Sequence, residues 1–243
     1  MNRTLAALVA CWFAAGLTAV PAADAGGWID LFGGKDLSAW QEPTTGWRVV
    51  KAVALDPANP RKLKVVPGEG ILYAAGRGKD LLTKRSFTDV EVHAEFVIPK
   101  RSNSGIKLMG LYEIQILDTY GIPVEKLTGD SCGGIYPRAE EKPKYHYLDK
   151  GFPPRVNAAR PAVEWQTLDI TFTAPRFDAA GKKTANAVFV KVVLNGQVIH
   201  ENRDVGTPTG HAYVRPEVPA GPLLLQGDHG PVAFRNVRVR ELK

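Results

Sequence analysis

Along most of the chain, apolar and polar residues alternate with a period of two. Across 87–98, Val90, Val92, Ala94, Phe96 and Ile98 alternate with Glu91, His93, Glu95 and Val97, the pattern of a strand with one buried face. The stretch 106–117 repeats it. Ile106, Leu108, Tyr112, Ile114 and Ile116 fall on one side, and Lys107, Met109, Leu111, Glu113, Gln115 and Leu117 on the other. Further strands are predicted over 168–173, 188–194, 198–200, 223–226 and 232–239. Asn195-Gly196 is a strong two-residue hairpin signal, because both residue types accept the positive φ that such a turn needs. Gly227-Asp228-His229-Gly230 reads as the turn of a last hairpin. No segment carries a capped 3.6-residue period, so helices should be few and short. Many short strands separated by turn signals predict an all-β fold, a sandwich or jelly roll.

One segment breaks the pattern. Residues 120–164 are rich in Pro and Gly, weakly periodic, and contain Tyr136, Tyr145, His146, Tyr147, Phe152 and Asn157. Connections of that length are unusual in compact domains and tend to be functional or disordered. The aromatic content argues against disorder, so a rim or lid packed over one sheet face is expected.

Composition narrows the class. With 44% apolar residues among 243, the chain can bury a sizeable core and is not globally disordered. The net charge of +6 comes from Lys and Arg scattered among acids, which suits a basic solvated surface and not nucleic-acid binding. Arg235, Arg238 and Arg240 form the one basic cluster, and strand alternation sends its members to different faces. Met1-Asn2-Arg3, the apolar run over 5–20 and the small-residue pattern Ala23-Asp24-Ala25 have the layout of a secretory signal peptide. Residues 1–25 are therefore expected to be removed, leaving 26–243 as a single β-sandwich domain of an exported protein, periplasmic or extracellular. The apolar run is too short for a membrane span. Leu8-Val9-Ala10-Cys11 matches the pattern before a lipidated cysteine. Lipidation there would leave a very short leader and an apolar mature start, so it is not expected. Cys132 then has no disulfide partner and reads as a buried thiol.

The candidate chemistry begins with Glu113 and Gln115, which share a face with Lys107. Polar groups of this kind among Met109, Leu111 and Leu117 suit the floor of a groove; the competing reading is a charged edge strand with no role. Asp118 falls on the opposite face unless a β-bulge returns it, and bulges recur beside active sites. The run Glu113-Ile-Gln-Ile-Leu-Asp118 is similar in spacing to the Glu-x-Asp-x-x-Glu strand of laminarinase and lichenase glycosidases. Those enzymes use two carboxylates, whereas Gln115 here replaces the middle acid and Asp118 the last. The second cluster is Gln226-Gly-Asp-His229. His229, in a glycine-rich turn, can shuttle a proton with Asp228 orienting it, or the group can simply stabilise the turn. His229 with Glu113, Gln115 or Asp118 could also hold a divalent metal, although no pair has metal-site spacing. No organic cofactor is expected. Weaker substrate-binding candidates are Lys84, Asn103, His146 and Asn157, with Trp165, Tyr136 and Tyr145 as sugar-stacking rings. For each, a core or turn role competes.

From Trp28 onward the chain resembles the bacterial 3-keto-disaccharide hydrolase domain family. The resemblance rests on Ile29-Asp-Leu-Phe-Gly-Gly-Lys-Asp-Leu-Ser-Ala-Trp40, Leu82-Thr-Lys-Arg-Ser-Phe87, Asn103-Ser-Gly-Ile106 and Tyr112-Glu-Ile-Gln-Ile-Leu-Asp118. Gly133-Gly-Ile-Tyr136, Glu164-Trp-Gln166, Leu194-Asn-Gly196, Gly221-Pro-Leu-Leu-Leu-Gln-Gly-Asp-His-Gly230 and Phe234-Arg-Asn236 complete it. Lys107, Val163 (where glycine usually precedes the Glu-Trp pair) and the extra Gly227 depart from the pattern. The resemblance implies a concanavalin A-like jelly roll of two antiparallel sheets, with the irregular segment over one face. It also implies action on a carbohydrate, a glycoside already oxidised at C3. The ketone acidifies the C2 hydrogen, so a base can remove it and expel the C1 substituent, and water addition gives net hydrolysis. His229 or Glu113 would be the base, and Lys107, Lys84 or a metal would stabilise the oxyanion. Asp118 would protonate the leaving group or orient its neighbours. The rivals are a non-catalytic carbohydrate-binding module and a laminarinase-like hydrolase of unoxidised glucan.

Overall fold

The structure is a computed structural model that describes Asp24 and residues 26–243. The predicted signal peptide, apart from Asp24, and Cys11 lie outside the described residues. Among the described residues, sixteen strands follow one another: β1 (Trp28–Phe32), β2 (Trp47–Asp56), β3 (Asn59–Ala75), β4 (Leu81–Phe87), β5 (Val90–Val97), β6 (Asn103–Leu108), β7 (Tyr112–Leu117) and the short β8 (Ala139–Glu140) and β9 (His146–Tyr147). After them come β10 (Gln166–Thr173), β11 (Arg176–Phe177), β12 (Lys183–Ala185), β13 (Ala187–Leu194), β14 (Gln197–Val205), β15 (Gly221–Leu225) and β16 (Pro231–Glu241). Two sheets dominate. The larger has eight strands in the order β14-β13-β10-β5-β16-β3-β2, with β1 also paired to β16; the smaller is β4-β15-β6-β7. Among the described residues, helix is confined to two 3-10 turns at Val124–Lys126 and His211–Val214.

The alternating apolar faces of both sheets meet in one core. Phe96, Phe172, Phe189 and Phe234 come from the large sheet, and Tyr112, Ile114, Ile106 and Leu225 from the small one. Tyr112 reaches across to Phe172, with ring centroids 5.4 Å apart. This is the expected jelly-roll sandwich of antiparallel sheets. The hairpin at Asn195-Gly196 forms as predicted, with φ of 52° and 79° joining β13 to β14.

Three expectations change, and one element is new. The stretch 106–117 is not one strand but a hairpin. Met109 and Gly110 take φ of 57° and 67° and reverse the chain, so Lys107 lies directly opposite Glu113. Met109 and Leu111 are therefore buried in the core instead of lying on a groove floor. Gly227–Gly230 is not a hairpin turn either. It carries the chain from β15 in the small sheet to β16 in the large one. The three arginines of β16 share one face, because a bulge between Arg235 and Arg238, with Asn236 at φ 51°, resets the alternation. Arg235 pairs with Glu95 and Arg240 with Glu91, while Arg238 stacks on Trp28. Finally, the long β2–β3 hairpin has no counterpart in the sequence reading. Pro60 and Pro67 interrupt β3, and much of the arm is exposed on both faces, so no period marks it.

The aromatic segment forms a rim. Its residues 133–136 cover the free edge of β7: Gly133 N–H donates to the Gln115 carbonyl, and Gln115 and Tyr136 N–H to those of Gly134 and Glu113 (2.7, 2.9 and 3.1 Å). Ile135 in turn exchanges bonds of 3.0 Å with Phe152. An unprotected edge strand is thereby closed. Val163 sits at φ 71°. A β-branched residue is strained there, and its side chain packs against a small outer cluster containing Tyr73 and Val97.

His200 on β14 is fully buried, with Nε2 2.8 Å from the Gly133 carbonyl. Burial lowers its pKa from an ordinary 6.5 to about 4. The unfolded chain therefore takes up a proton between those values while the folded chain does not. The stability contribution is present above pH 6.5 and is lost as pH falls towards 4. Urea unfolding should show about 2 kcal/mol lost between pH 7 and pH 5 through this group alone, and His200→Leu should remove that slope.

Candidate active site

The outer face of the small sheet carries two rows of side chains. Leu224, Lys107 and Glu113 are aligned across β15, β6 and β7. In the adjacent row, Gln226 N–H donates to the Gly105 carbonyl at 2.9 Å, and Gly105 pairs with Gln115. Gly105 makes room. A Cβ on it would fall 2.3 Å from Glu113 Oε1, so the carboxylate lies over the bare backbone between the two glutamines.

These rows floor a cleft of about 420 Å³, also lined by Asn103, Asp80, Tyr136, Tyr145, Asp228 and His229. One wall is the crossover turn 227–230. Gly227 lets this turn pass over the Trp47 indole, whose atoms lie within 2.8 Å of any added Cβ. Its N–H donates to Asp80 Oδ1 at 3.0 Å, so Asp80 anchors the turn that carries Asp228 and His229. Glycine at position 227 thus has a steric reason. The opposite wall is the rim, with Tyr136, Tyr145 and Glu141, joined by His211 and Arg215 from the 3-10 turn region.

Charge is concentrated on the floor. Glu113 is 3% exposed, and burial pushes its carboxyl pKa up, opposed by Lys107. Lys107 Nζ stands 3.3 Å from Glu113 Oε2. Burial likewise raises Asp80, opposed by the Gly227 N–H. His229 is half-exposed, and its Nδ1 meets the Asp228 carboxylate, which leaves Nε2 free to face a ligand. The cleft therefore offers a buried carboxyl beside an ammonium, facing an oriented imidazole.

The structure brings Glu113, Gln115, His229, Asn103, Lys107, Tyr136, Gln226 and Asp228 together around this cleft. It places five other candidates elsewhere. No bulge returns Asp118 to the face of Glu113; its Oδ2 accepts the Arg101 N–H at 2.8 Å and holds the turn before β6. The laminarinase-like reading loses its second carboxylate with it. Lys84 is exposed on the edge strand β4, outside the cleft. His146 Nδ1 meets the Lys144 carbonyl at 2.9 Å on the exposed β9. Asn157 ties down the rim by donating to the Thr119 and Ile122 carbonyls, both at 2.8 Å. Trp165 packs on the outer side of the large sheet under Arg235, 4.1 Å from its ring centroid.

Asp80, Glu141, His211 and Arg215 line the cleft without having been singled out in the sequence. They sit in connections and a 3-10 turn, where no periodicity marks them. Among the described residues, no three His, Cys, Asp or Glu side chains are grouped to hold a metal ion. Lys107 already supplies a positive charge beside Glu113. A larger hollow of about 510 Å³ on the outer face of the big sheet is lined by Trp28, His93 and Glu95. Two of its ionic groups already have partners beyond the lining, His93 in Asp169 and Glu95 in Arg235, whereas the smaller cleft holds the buried Glu113–Lys107 pair and is the stronger chemical site. Gly105→Ala should displace the Glu113 carboxylate and lower kcat at least tenfold, a loss of about 1.4 kcal/mol in barrier terms, with steady-state kinetics as the measurement.

A family model described as the 3-keto-alpha-glucoside-1,2-lyase-like domain matches residues 27–240. A comparison with curated proteins found no match. Among solved structures, a candidate glycosyl hydrolase from Parabacteroides distasonis is 29% identical, with a TM-score of 0.64 over 89% of this chain and 84% of that one. Two further candidate glycosyl hydrolases from the same organism share the fold. At 19% identity one has a TM-score of 0.56 over 88% of this chain and 99% of its own. At 18% identity the other has 0.54 over 90% and 96%.

Proposed function

Because the chain belongs to the 3-keto-alpha-glucoside-1,2-lyase-like domain family, we propose that its cleft cleaves the glycosidic bond of 3-keto-glycosides by elimination followed by hydration. Glu113 takes the proton from C2. The electron pair of that C–H bond moves into an enediolate whose oxygen on C3 faces the Lys107 ammonium. The C3 carbonyl then re-forms, a C1–C2 double bond forms and the C1–O bond breaks. The departing oxygen takes a proton from His229, which Asp228 orients. Water next adds at C1, giving a proton to His229 while Glu113 returns one to C2. Atoms and charges balance, and both groups regain their starting states.

The observation that carries this reading is the 3.3 Å between Lys107 Nζ and Glu113 Oε2 on the cleft floor. The C2 hydrogen and the C3 oxygen sit on adjacent carbons, so their base and their electrophile must also be neighbours. A buried carboxylate is a stronger base than an exposed one, and an ammonium already in place needs no reorganisation as charge develops. Neither step uses a nucleophilic carboxylate, which accords with an amide at Gln115. The signal-peptide pattern over 1–25 supports export of the enzyme.

Incubation with a 3-keto-disaccharide should release free sugar, while the unoxidised parent disaccharide remains intact. Cleavage of the parent at a similar rate, or none of the ketone, would defeat the proposal.

A further inference from the structure

Two buried acceptors in the cleft have no donor. Gln115 is 1% and Gln226 6% exposed, both line the cleft, and the Oε1 of each accepts no hydrogen bond. A buried carbonyl left without a donor is costly, so two in one cleft point to a ligand that supplies the donors.

The orientation of Gln115 is not arbitrary. Its Nε2 lies 2.8 Å from Asp130 Oδ1. A carboxylate can only accept, so Asp130 fixes the NH₂ end of the amide and turns the oxygen the other way. Burial and the Asp130 carboxylate raise the pKa of the Tyr147 hydroxyl, which lies 3.2 Å from that of Tyr136; Tyr136 is 2.6 Å from Tyr145. The aromatic rim thus borders Asp130, and Asp130 holds the amide. Gln226 and Gln115 flank Gly105 across three adjacent chains, two strand spacings or about 10 Å apart at the backbone. Gly105 contributes no side chain between them, and the Glu113 carboxylate lies over it.

We propose that Gln115 Oε1 and Gln226 Oε1 each read a hydroxyl donor on the sugar, and that Asp130 is a positioning residue that holds the first amide by its NH₂ end and so keeps its oxygen available to the ligand. A ketone oxygen cannot donate, so these two acceptors meet unoxidised positions while the oxidised carbon lies at Lys107. The inference rests on the reading of the cleft as a glycoside site and adds which groups select the substrate.

The test is calorimetric binding of the unoxidised disaccharide and its monodeoxy analogues, with kinetics on the 3-keto-disaccharide in parallel. In the wild type, removal of the matching hydroxyl should weaken binding by about 5- to 150-fold, as expected when a buried acceptor loses its donor. In Gln115→Met the same deletion should change affinity by less than about twofold, because the partner is already gone. A different hydroxyl should show this coupling with Gln226→Met, which serves also if Gln115→Met does not fold. Asp130→Ala should shrink the Gln115 coupling and raise KM while leaving kcat near the wild-type value, a split that general loosening of the rim would not produce. Equal hydroxyl penalties in wild type and variants would overturn the proposal, as would no binding of any disaccharide. Hydroxyl coupling without turnover of the 3-keto-disaccharide would uphold the acceptor pair and defeat only the proposed reaction.

Discussion

Glu113→Gln is expected to lower kcat on a 3-keto-glycoside by roughly a hundred- to ten-thousandfold, the usual worth of a positioned general base, with little change in KM. Glutamine fills the same space over Gly105 and keeps a polar end, but it cannot accept the C2 proton. The loss should appear in kcat and kcat/KM alike, because the missing interaction belongs to the transition state. Its pH dependence has a defined sign. Burial raises the Glu113 pKa above its ordinary value, so the acid limb of the wild-type rate should rise with pH at values above the usual carboxylate range. Steady-state rates across pH measure both effects, and a variant with near-wild-type kcat would remove Glu113 from the chemistry.

Lys107→Met should have the next largest effect. The variant loses the cation facing the enediolate oxygen, and loss of one such stabilising group costs roughly a hundred- to a thousandfold in kcat. A second consequence concerns Glu113 itself. Lys107 is the main influence lowering its raised pKa, so without the ammonium the acid limb should move further towards alkaline pH. The stability effect follows from the same shift. A carboxyl with a raised folded pKa favours the folded state below its unfolded pKa and loses that advantage as pH rises. Raising it further makes the ionised form harder to bury. The thermal midpoint of Lys107→Met should therefore fall relative to wild type at pH 7.5 and recover towards it at pH 5. Equal deficits at both values would mean that Lys107 and Glu113 are not electrostatically coupled in the folded protein.

The sandwich is legible in the sequence because each half-buried strand writes its own period of two. The floor row is legible for the same reason, even though 106–117 folds into a hairpin. Its three-residue loop, Met109–Leu111, preserves parity, so Lys107 and Glu113 share a face whether the chain runs straight or turns back. The reversal itself depended on Met109 adopting a positive φ, which nothing in a methionine announces. Asp118 shows the opposite case. Strict alternation places it away from Glu113, and the bulge that would have moved it is absent, while a bulge in β16 gathers three arginines. Asp80 and Arg215 enter the cleft from connections, where position depends on how distant segments pack and no local pattern records it. Asp130 is invisible for the same reason, since its meaning lies in the amide it faces.

The central claim is that bond cleavage begins with removal of the C2 proton, and hydrogen exchange with solvent reads that event directly. Wild-type enzyme should be mixed with a 3-keto-disaccharide in D₂O, and the released 3-keto-sugar analysed early by NMR, with enzyme-free substrate correcting for spontaneous exchange. The account predicts one deuterium at C2 of the product, delivered when Glu113 returns a solvent-exchanged proton. Product that keeps its original hydrogen at C2 would contradict it, because the bond would then have been broken without the step that Glu113 and Lys107 are placed to perform.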